Sequence, residues 1–255
     1  MSSWALVTGA TAGIGESFSR LLASHKYNIV LVARDLPRLQ ERAQGLEAKY
    51  GVKTHVIQAD LATDDGCLKV EKYIADNQID VLINNAGFGT NKAFTMSTLD
   101  IEQQLLDVLV RTPMRLMHVA LPSMKERNNG VIINVSSVAG YIAGGSYSAS
   151  KSYLTVLSES LNTELSATNV KVSALCPGFT RTEFHQRGKM SMKALPNFLW
   201  LNSDRLVEQS WKDALKGEAV SIPGWQYKLL VFVVQTLPRS IVRKVGMNLR
   251  AKQRK

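Results

Sequence analysis

The sequence predicts one α/β domain: a doubly wound parallel sheet of about seven strands, helices on both faces, and a helical extension at the C-terminal end. Three observations predict it. Strand-like apolar runs alternate with helical patterns along the chain, the order that builds a parallel sheet. A glycine loop joins the first run to the first helical pattern. The 255 residues are 45% hydrophobic, enough for one large core without forcing a second domain.

The elements follow in order. Residues 4–8 are short, apolar and stopped by glycine, which reads as a buried strand. Thr8-Gly9-Ala10-Thr11-Ala12-Gly13-Ile14-Gly15 then leads into helix 13–24, with Ile14, Phe18, Leu21 and Leu22 on one side. Strand, glycine loop and helix form the context of a Rossmann-type dinucleotide turn. Gly9 permits the tight turn, Gly13 lets a pyrophosphate approach the backbone, and Gly15 allows close helix packing. The helix N-terminus faces the phosphates. Strand 28–33 ends in Ala33 and Arg34, and Asp35 ahead of Pro37 reads as the N-cap of helix 36–49.

Strand 54–58 is followed by Asp60-Leu61, where Asp60 can serve as a cap for helix 65–76. Strand 80–84 runs into Asn84-Asn85-Ala86-Gly87. A long helix over 99–127 and strand 130–135 lead to Ser136-Ser137. Helix 148–167 carries Leu154, Leu157, Leu161 and Leu165 as an apolar stripe. Strand 170–175 ends before Pro177-Gly178. Segment 178–202 breaks the alternation with Phe179, Phe184, Met190, Met192, Leu195, Phe198, Leu199, Trp200 and Leu201. Helix 203–215 and strand 219–222 complete the domain over 1–224. Residues 225–255 form a basic extension, with two short helices over 225–249 broken near Pro238.

Tyr147 and Lys151 are the most informative pair. A spacing of four places both on one helix face. The ammonium would stabilise a phenolate at Tyr147, lowering its pKa from about 10. Such a phenol can give a proton to a substrate oxygen or take one from it.

Composition excludes several classes. No stretch approaches the ~20 apolar residues of a membrane span. The chain enters its first strand almost at once, which leaves no room for a signal peptide and points to the cytoplasm. Cys67 and Cys176 suggest a reducing compartment, and the four histidines and two cysteines form no metal-ligand spacing. Net charge is +10, and residues 219–255 hold eight Lys or Arg with no Asp or Glu, leaving +2 for the remainder. No nucleic-acid motif accompanies those charges.

Thr8–Gly15, Asn84-Asn85-Ala86-Gly87, Ser137, Tyr147-x-x-x-Lys151 and Pro177-Gly178 occur in that order. The chain thereby resembles the short, single-domain branch of the short-chain dehydrogenase/reductase family, over residues 8–182. The resemblance implies an NADP(H)-dependent oxidoreductase. Tyr147 would be the general acid/base, Lys151 would bind the nicotinamide ribose, and Ser137 would hold the substrate carbonyl. Ser136 is the neighbouring alternative, though the family pattern places the catalytic serine second. Gly9, Thr11, Gly13, Ile14 and Gly15 would line the cofactor at one end. Asp60 and Leu61 would meet the adenine; Asn84 and Gly87, with Asn85 and Ala86, would shape the floor. Pro177, Gly178, Thr180 and Thr182 would flank the nicotinamide.

Further expectations come from the same resemblance. An NAD enzyme of this family usually has an acid where Ala33 stands; here Arg34 follows, suited to a 2′-phosphate, with Arg38 assisting. Segment 178–202 would be the substrate lid, with Phe184, Phe198 and Trp200 contacting a medium or large apolar ketone or alcohol. The Ser137-to-Tyr147 loop is about three residues shorter than usual for the family. A family asparagine aligns to Leu109, placed by Leu121-Pro122, so its water-linked proton path is missing an amide. The alternative reading is therefore an NADP(H)-binding sensor or partner protein with weak or no catalysis. The long central helices would pair in a homo-oligomer. The basic tail would meet an anionic membrane at about 1 kcal/mol per basic residue, or an acidic carrier protein. The apolar half, 225–237, is expected to pack over the site or a subunit interface.

Overall fold

A computed structural model describes residues 3–90, 92–184 and 196–244. The strands are β1 Trp4–Thr8, β2 Asn28–Ala33, β3 Thr54–Gln58, β4 Val81–Asn84, β5 Gly130–Val135, β6 Val170–Leu175 and β7 Val220–Ser221. They form one sheet in the order β3-β2-β1-β4-β5-β6-β7, with every neighbouring pair parallel. The helices are α1 Gly13–Ser24, α2 Leu36–Tyr50, α3 Asp64–Asp76, α4 Leu99–Leu106, α5 Thr112–Glu126, α6 Ser146–Glu164, α7 Ser203–Leu215 and α8 Trp225–Thr236. Expected and observed elements agree to within a few residues.

The central strands β1, β2 and β4 are mostly apolar because both faces are covered, whereas edge strand β3 exposes His55 and Gln58. Ala5, Val7, Ile29, Leu31, Ile83 and Ile133 face Phe18 and Leu22 of α1, Leu39 of α2, and Leu206 and Trp211 of α7. The alternate residues Leu6, Val30, Val32, Leu82 and Ile132 face Val70 and Ile74 of α3, Leu116 and Met124 of α5, and Leu154 of α6. The period of two thus sends successive side chains into two separate cores. Each fully buried Leu, Ile or Phe there contributes about 1.5–3 kcal/mol relative to exposure.

The sheet order reverses beside β1, whose neighbours are β2 and β4. A crevice opens there, outside the carboxyl ends of the strands. Gly9 follows β1, Asn85 follows β4, Ser136 follows β5 and Cys176-Pro177 follows β6. All the motifs singled out from sequence therefore arrive at one edge.

Two local expectations are corrected. The long helix over 99–127 is divided by a π-helical turn at Asp107–Arg111, where the Thr112 N–H donates to the Asp107 carbonyl, five residues back. Pro113 has no N–H for the Leu109 carbonyl four residues before it, which removes one regular α bond at this turn. Arg111 and Asp107 pair across the turn at 3.1 Å. The N-cap of α3 is Thr63, whose Oγ1 accepts from Gly66 N at 3.1 Å, and not Asp60. Asp60 instead accepts from Ala62 N at 3.1 Å. Asp35 caps α2 as expected, accepting from Arg38 N.

Candidate active site

The nucleotide end is held by two short side chains bonded to backbone. Thr8 Oγ1 accepts from the N–H groups of Asn85 and Ala86 at 2.9 and 3.0 Å. Asn85 Nδ2 donates to Thr8 O at 2.8 Å and Gly9 O at 3.2 Å. These bonds tie the end of β1 to the segment after β4. Gly9 has φ +64°, a left-handed conformation that suits glycine, and a Cβ there would lie 2.8 Å from Asn85 Nδ2. A Cβ on Gly15 would lie 2.4 Å from both Asn85 Nδ2 and the Gly9 carbonyl. Close packing at Gly15 is therefore against the loop itself. The nearest side chain to Gly13 is Thr182, 2.9 Å from where a Cβ would stand.

Ala12 caps α1 without a side-chain bond, so its first-turn N–H groups face the crevice unsatisfied by a cap. A helix N-terminus in that state fits a phosphate. Arg34 is exposed just beyond β2, and its guanidinium makes no hydrogen bond or ion pair among the described residues. Glycine loop, uncapped helix end and free guanidinium together fit a phosphorylated dinucleotide. Arg38 is engaged otherwise: it donates twice to Glu183, at 3.0 and 2.6 Å. Asp60 is exposed at the end of β3, while Leu61 is buried and its carbonyl accepts from Thr112 Oγ1 at 2.8 Å.

Tyr147 and Lys151 lie in the first two turns of α6. The Lys151 ammonium is 5.7 Å from the Tyr147 ring centroid. It is buried and donates to Val135 O at 2.6 Å. Burial lowers its pKa to about 8, because a low-dielectric setting disfavours the charged form. The ammonium is still the main form at neutral pH.

The two serines separate cleanly. Ser136 Oγ donates to Lys151 O at 2.7 Å and lies 2.7 Å from Thr155 Oγ1, so it is bound into α6. Ser137 is half-buried; its Oγ accepts from Ala139 N at 3.1 Å and contacts Pro177 O at 3.5 Å. That long bond leaves the Ser137 hydroxyl free to turn to a better acceptor.

Leu109, from the π turn, is buried, and its Cδ2 stands 2.9 Å from where a Cβ on Gly87 would be. Beside it is a cavity of about 10 Å³ lined by Thr8, Asn84, Leu109 and Lys151, among others. That is the room of roughly one water. Asn84, expected with Gly87 at the cofactor floor, is buried beneath it and donates to Asn134 Oδ1 at 2.8 Å.

The covering segment is pinned at its ends. Thr180 pairs with Leu201 in a parallel bridge, with Leu201 N donating to Phe179 O at 2.8 Å and Arg181 N to Leu201 O at 3.1 Å. The Thr180 side chain turns inward to Gly178 O at 3.1 Å. The Phe184 ring is 6.0 Å from the Tyr147 ring. Trp200 packs on Phe179 at 6.2 Å and under Arg181 at 5.4 Å. Phe198 is 66% exposed. Met190, Met192 and Leu195 lie outside the described residues.

One residue the sequence did not single out completes this wall. Tyr227 of α8 lies flat on Gly178, where a Cβ would be 2.0 Å from the ring. Its hydroxyl accepts from Phe179 N at 3.0 Å and donates to Leu199 O at 2.5 Å. Burial raises its pKa, which keeps the hydroxyl a donor. A tyrosine inside an apolar helix carries no distinguishing pattern; only the glycine opposite could have marked it.

A nucleotide-binding crevice with a Tyr-x-x-x-Lys helix beside it defines a class of dinucleotide-dependent oxidoreductase folds. The short chain dehydrogenase family matches over residues 3–192, and the chain belongs to it. Very-long-chain 3-oxoacyl-CoA reductase-A of Danio rerio is 31% identical over 190 residues, covering 72% of this chain and 60% of that protein. The chain thus spans about three fifths of that relative's length. 17-beta-hydroxysteroid dehydrogenase type 3 of Rattus norvegicus is 32% identical over 246 residues, 94% of this chain and 78% of the relative. The human inactive hydroxysteroid dehydrogenase-like protein 1 is also 32% identical, covering 92% of this chain and 72% of its own.

Among solved structures, a short-chain dehydrogenase from Sphingobium yanoikuyae in complex with NADPH superposes with TM-score 0.84 at 31% identity, covering 91% of this chain and 93% of that one. The bulky-bulky ketone specific alcohol dehydrogenase from Comamonas testosteroni gives 0.79 at 30%, with coverages of 91% and 92%.

Proposed function

We propose that this chain is an NADP(H)-dependent oxidoreductase acting on a ketone or secondary alcohol of a mainly apolar substrate. The observation that carries the reading is the Tyr147–Lys151 pair on α6, with the ammonium 5.7 Å from the ring. When bound, the dinucleotide supplies or accepts the hydride. Ser137 Oγ donates to the carbonyl oxygen and holds it in place. Tyr147 gives its phenolic proton to that oxygen as negative charge develops on it, and takes one back in the oxidative direction. The Lys151 charge lowers the cost of the phenolate left behind.

Arg34 takes the 2′-phosphate, and Ala33 offers no carboxylate to repel it. The NADPH-bound Sphingobium structure supports this preference. Phe184 beside Tyr147 supplies an apolar wall. Relatives named for long-chain acyl, steroid and bulky ketone substrates point the same way. Exposed Leu106, Met114, Tyr153 and Val156 on α4, α5 and α6 suit pairing of these helices in a homo-oligomer.

Leu109 favours the second reading, nucleotide binding without turnover, as does a relative named as inactive. Steady-state NADPH oxidation across carbonyls from small to steroid-sized separates the two. Turnover is expected to rise with apolar size. Tyr147→Phe is expected to lose roughly 10²–10⁴-fold in kcat with NADPH affinity nearly unchanged. NADPH binding with no turnover on any carbonyl sinks the enzyme in favour of the sensor.

A further inference from the structure

Helix α8 presents two apolar faces. Tyr227 and Val231 are buried against the body. On the opposite side Trp225, Leu229, Phe232 and Val233 recur at helical spacing and stand 73, 55, 65 and 41% exposed. Within the single chain, the expected packing of 225–237 over the site is made by the Tyr227–Val231 face. A surface helix ordinarily turns polar residues outward. This one carries a single charge, Lys228, in twelve residues.

The surroundings say what covers that face. Arg239, Arg243 and Lys244 follow across Pro238, and the sequence adds Arg250, Lys252, Arg254 and Lys255 with no acid from Ala219 onward. Two copies meeting on this face would bring their cationic tails together, which opposes self-pairing. At twelve residues α8 is too short to cross a bilayer, and no helix among the described residues is long and apolar enough to do so. An apolar helical face with a tryptophan, leading into clustered cations, matches an interfacial helix on an anionic membrane.

We propose that Trp225, Leu229, Phe232 and Val233 form a lipid-docking surface. They enter the headgroup layer of an anionic bilayer, and Arg239, Arg243 and Lys244 take the lipid phosphates. This goes beyond the catalytic reading and does not depend on it.

The test is co-sedimentation of the full chain with vesicles of phosphatidylcholine alone or mixed with phosphatidylglycerol, at low and high salt. Retention is expected on the mixed vesicles at low salt, falling steeply with salt. Trp225→Ser with Phe232→Ser is expected to lower retention roughly tenfold, as lost interfacial burial predicts. An unchanged thermal midpoint would show that the variant folds. Replacing Arg239, Arg243 and Lys244 by Gln should flatten the salt dependence. No retention of the full chain on mixed vesicles at low salt overturns the proposal. So does a double variant that binds as well as the parent, since charge alone then suffices. A homo-oligomer dissolved by the double variant, seen by light scattering, would assign the face to a second copy instead.

Discussion

The two walls of the candidate site are made of different material. On the nucleotide side, two short polar side chains, Thr8 and Asn85, are bonded to backbone, and Gly9 and Gly15 pack so closely that a Cβ does not fit. On the covering side, long side chains meet one another and the backbone: Tyr227 on Gly178, Arg38 on Glu183 and Arg181 on Trp200. A wall of short, hydrogen-bonded side chains on close-packed backbone has one shape. A wall held by rotamers takes another when its side chains change. The first suits a ligand that never varies and the second a ligand that does.

The largest expected effect comes from breaking the rigid wall. Gly15→Ala puts a methyl 2.4 Å from the Gly9 carbonyl, which cannot swing aside as a side chain can. A loss of about 1–3 kcal/mol is expected, together with loss of NADPH binding. Denaturation midpoints and cofactor titration would read it; a variant normal in both would show that this wall yields.

Arg34→Glu comes next. It exchanges a charge-assisted bond for repulsion, so the ratio of catalytic efficiencies with NADPH and NADH should reverse by roughly 10²-fold. An unaltered ratio would remove Arg34 from cofactor choice.

The other wall should respond more gently. Tyr227→Phe removes two hydrogen bonds while keeping the ring on Gly178. About 0.5–1.5 kcal/mol per bond is expected, appearing as a raised KM for the carbonyl with NADPH affinity unchanged. Equal losses for both ligands would mean that the walls are one unit.

The smallest effect lies where the walls meet. In the reductive direction kcat/KM should fall as pH rises through about 8, where Lys151 gives up its proton. Leu109→Asn adds an acceptor beside that cavity, which favours the ammonium. Activity equal to the parent or higher is expected, with the basic limb moved to higher pH. Collapse of the fold would show that Leu109 serves packing alone.

The same contrast separates what could be read from sequence. The strands, their order of use and the glycine loop were legible because strand burial and tight turns write themselves into short, local patterns. That Ser136 and Ser137 do not share a face was legible as well, from alternation along the strand, and Ser136 is the one bound to α6; the preference for Ser137 came from the family pattern alone. Four features were not legible. The π turn depends on what Pro113 withholds from a carbonyl four residues earlier. The cap of α3 went to Thr63 and not Asp60, a choice between neighbours that spacing alone does not make. Tyr227 and the Arg38–Glu183 pair join residues 48 and 145 positions apart from their partners, beyond any local pattern.

The bridge between Thr180 and Leu201 has a consequence for how such an enzyme diversifies. It brings the two ends of the stretch between them together, while Glu183 on Arg38 and Phe184 beside Tyr147 tie its first turn to the body. Lengthening such a loop costs little, since the closure penalty grows only with the logarithm of its size. Residues there can be inserted, deleted or exchanged without disturbing the register of the sheet. The bridge works as a grafting point: new substrate preferences can be tried beyond Thr182, which stays against Gly13 of the glycine loop.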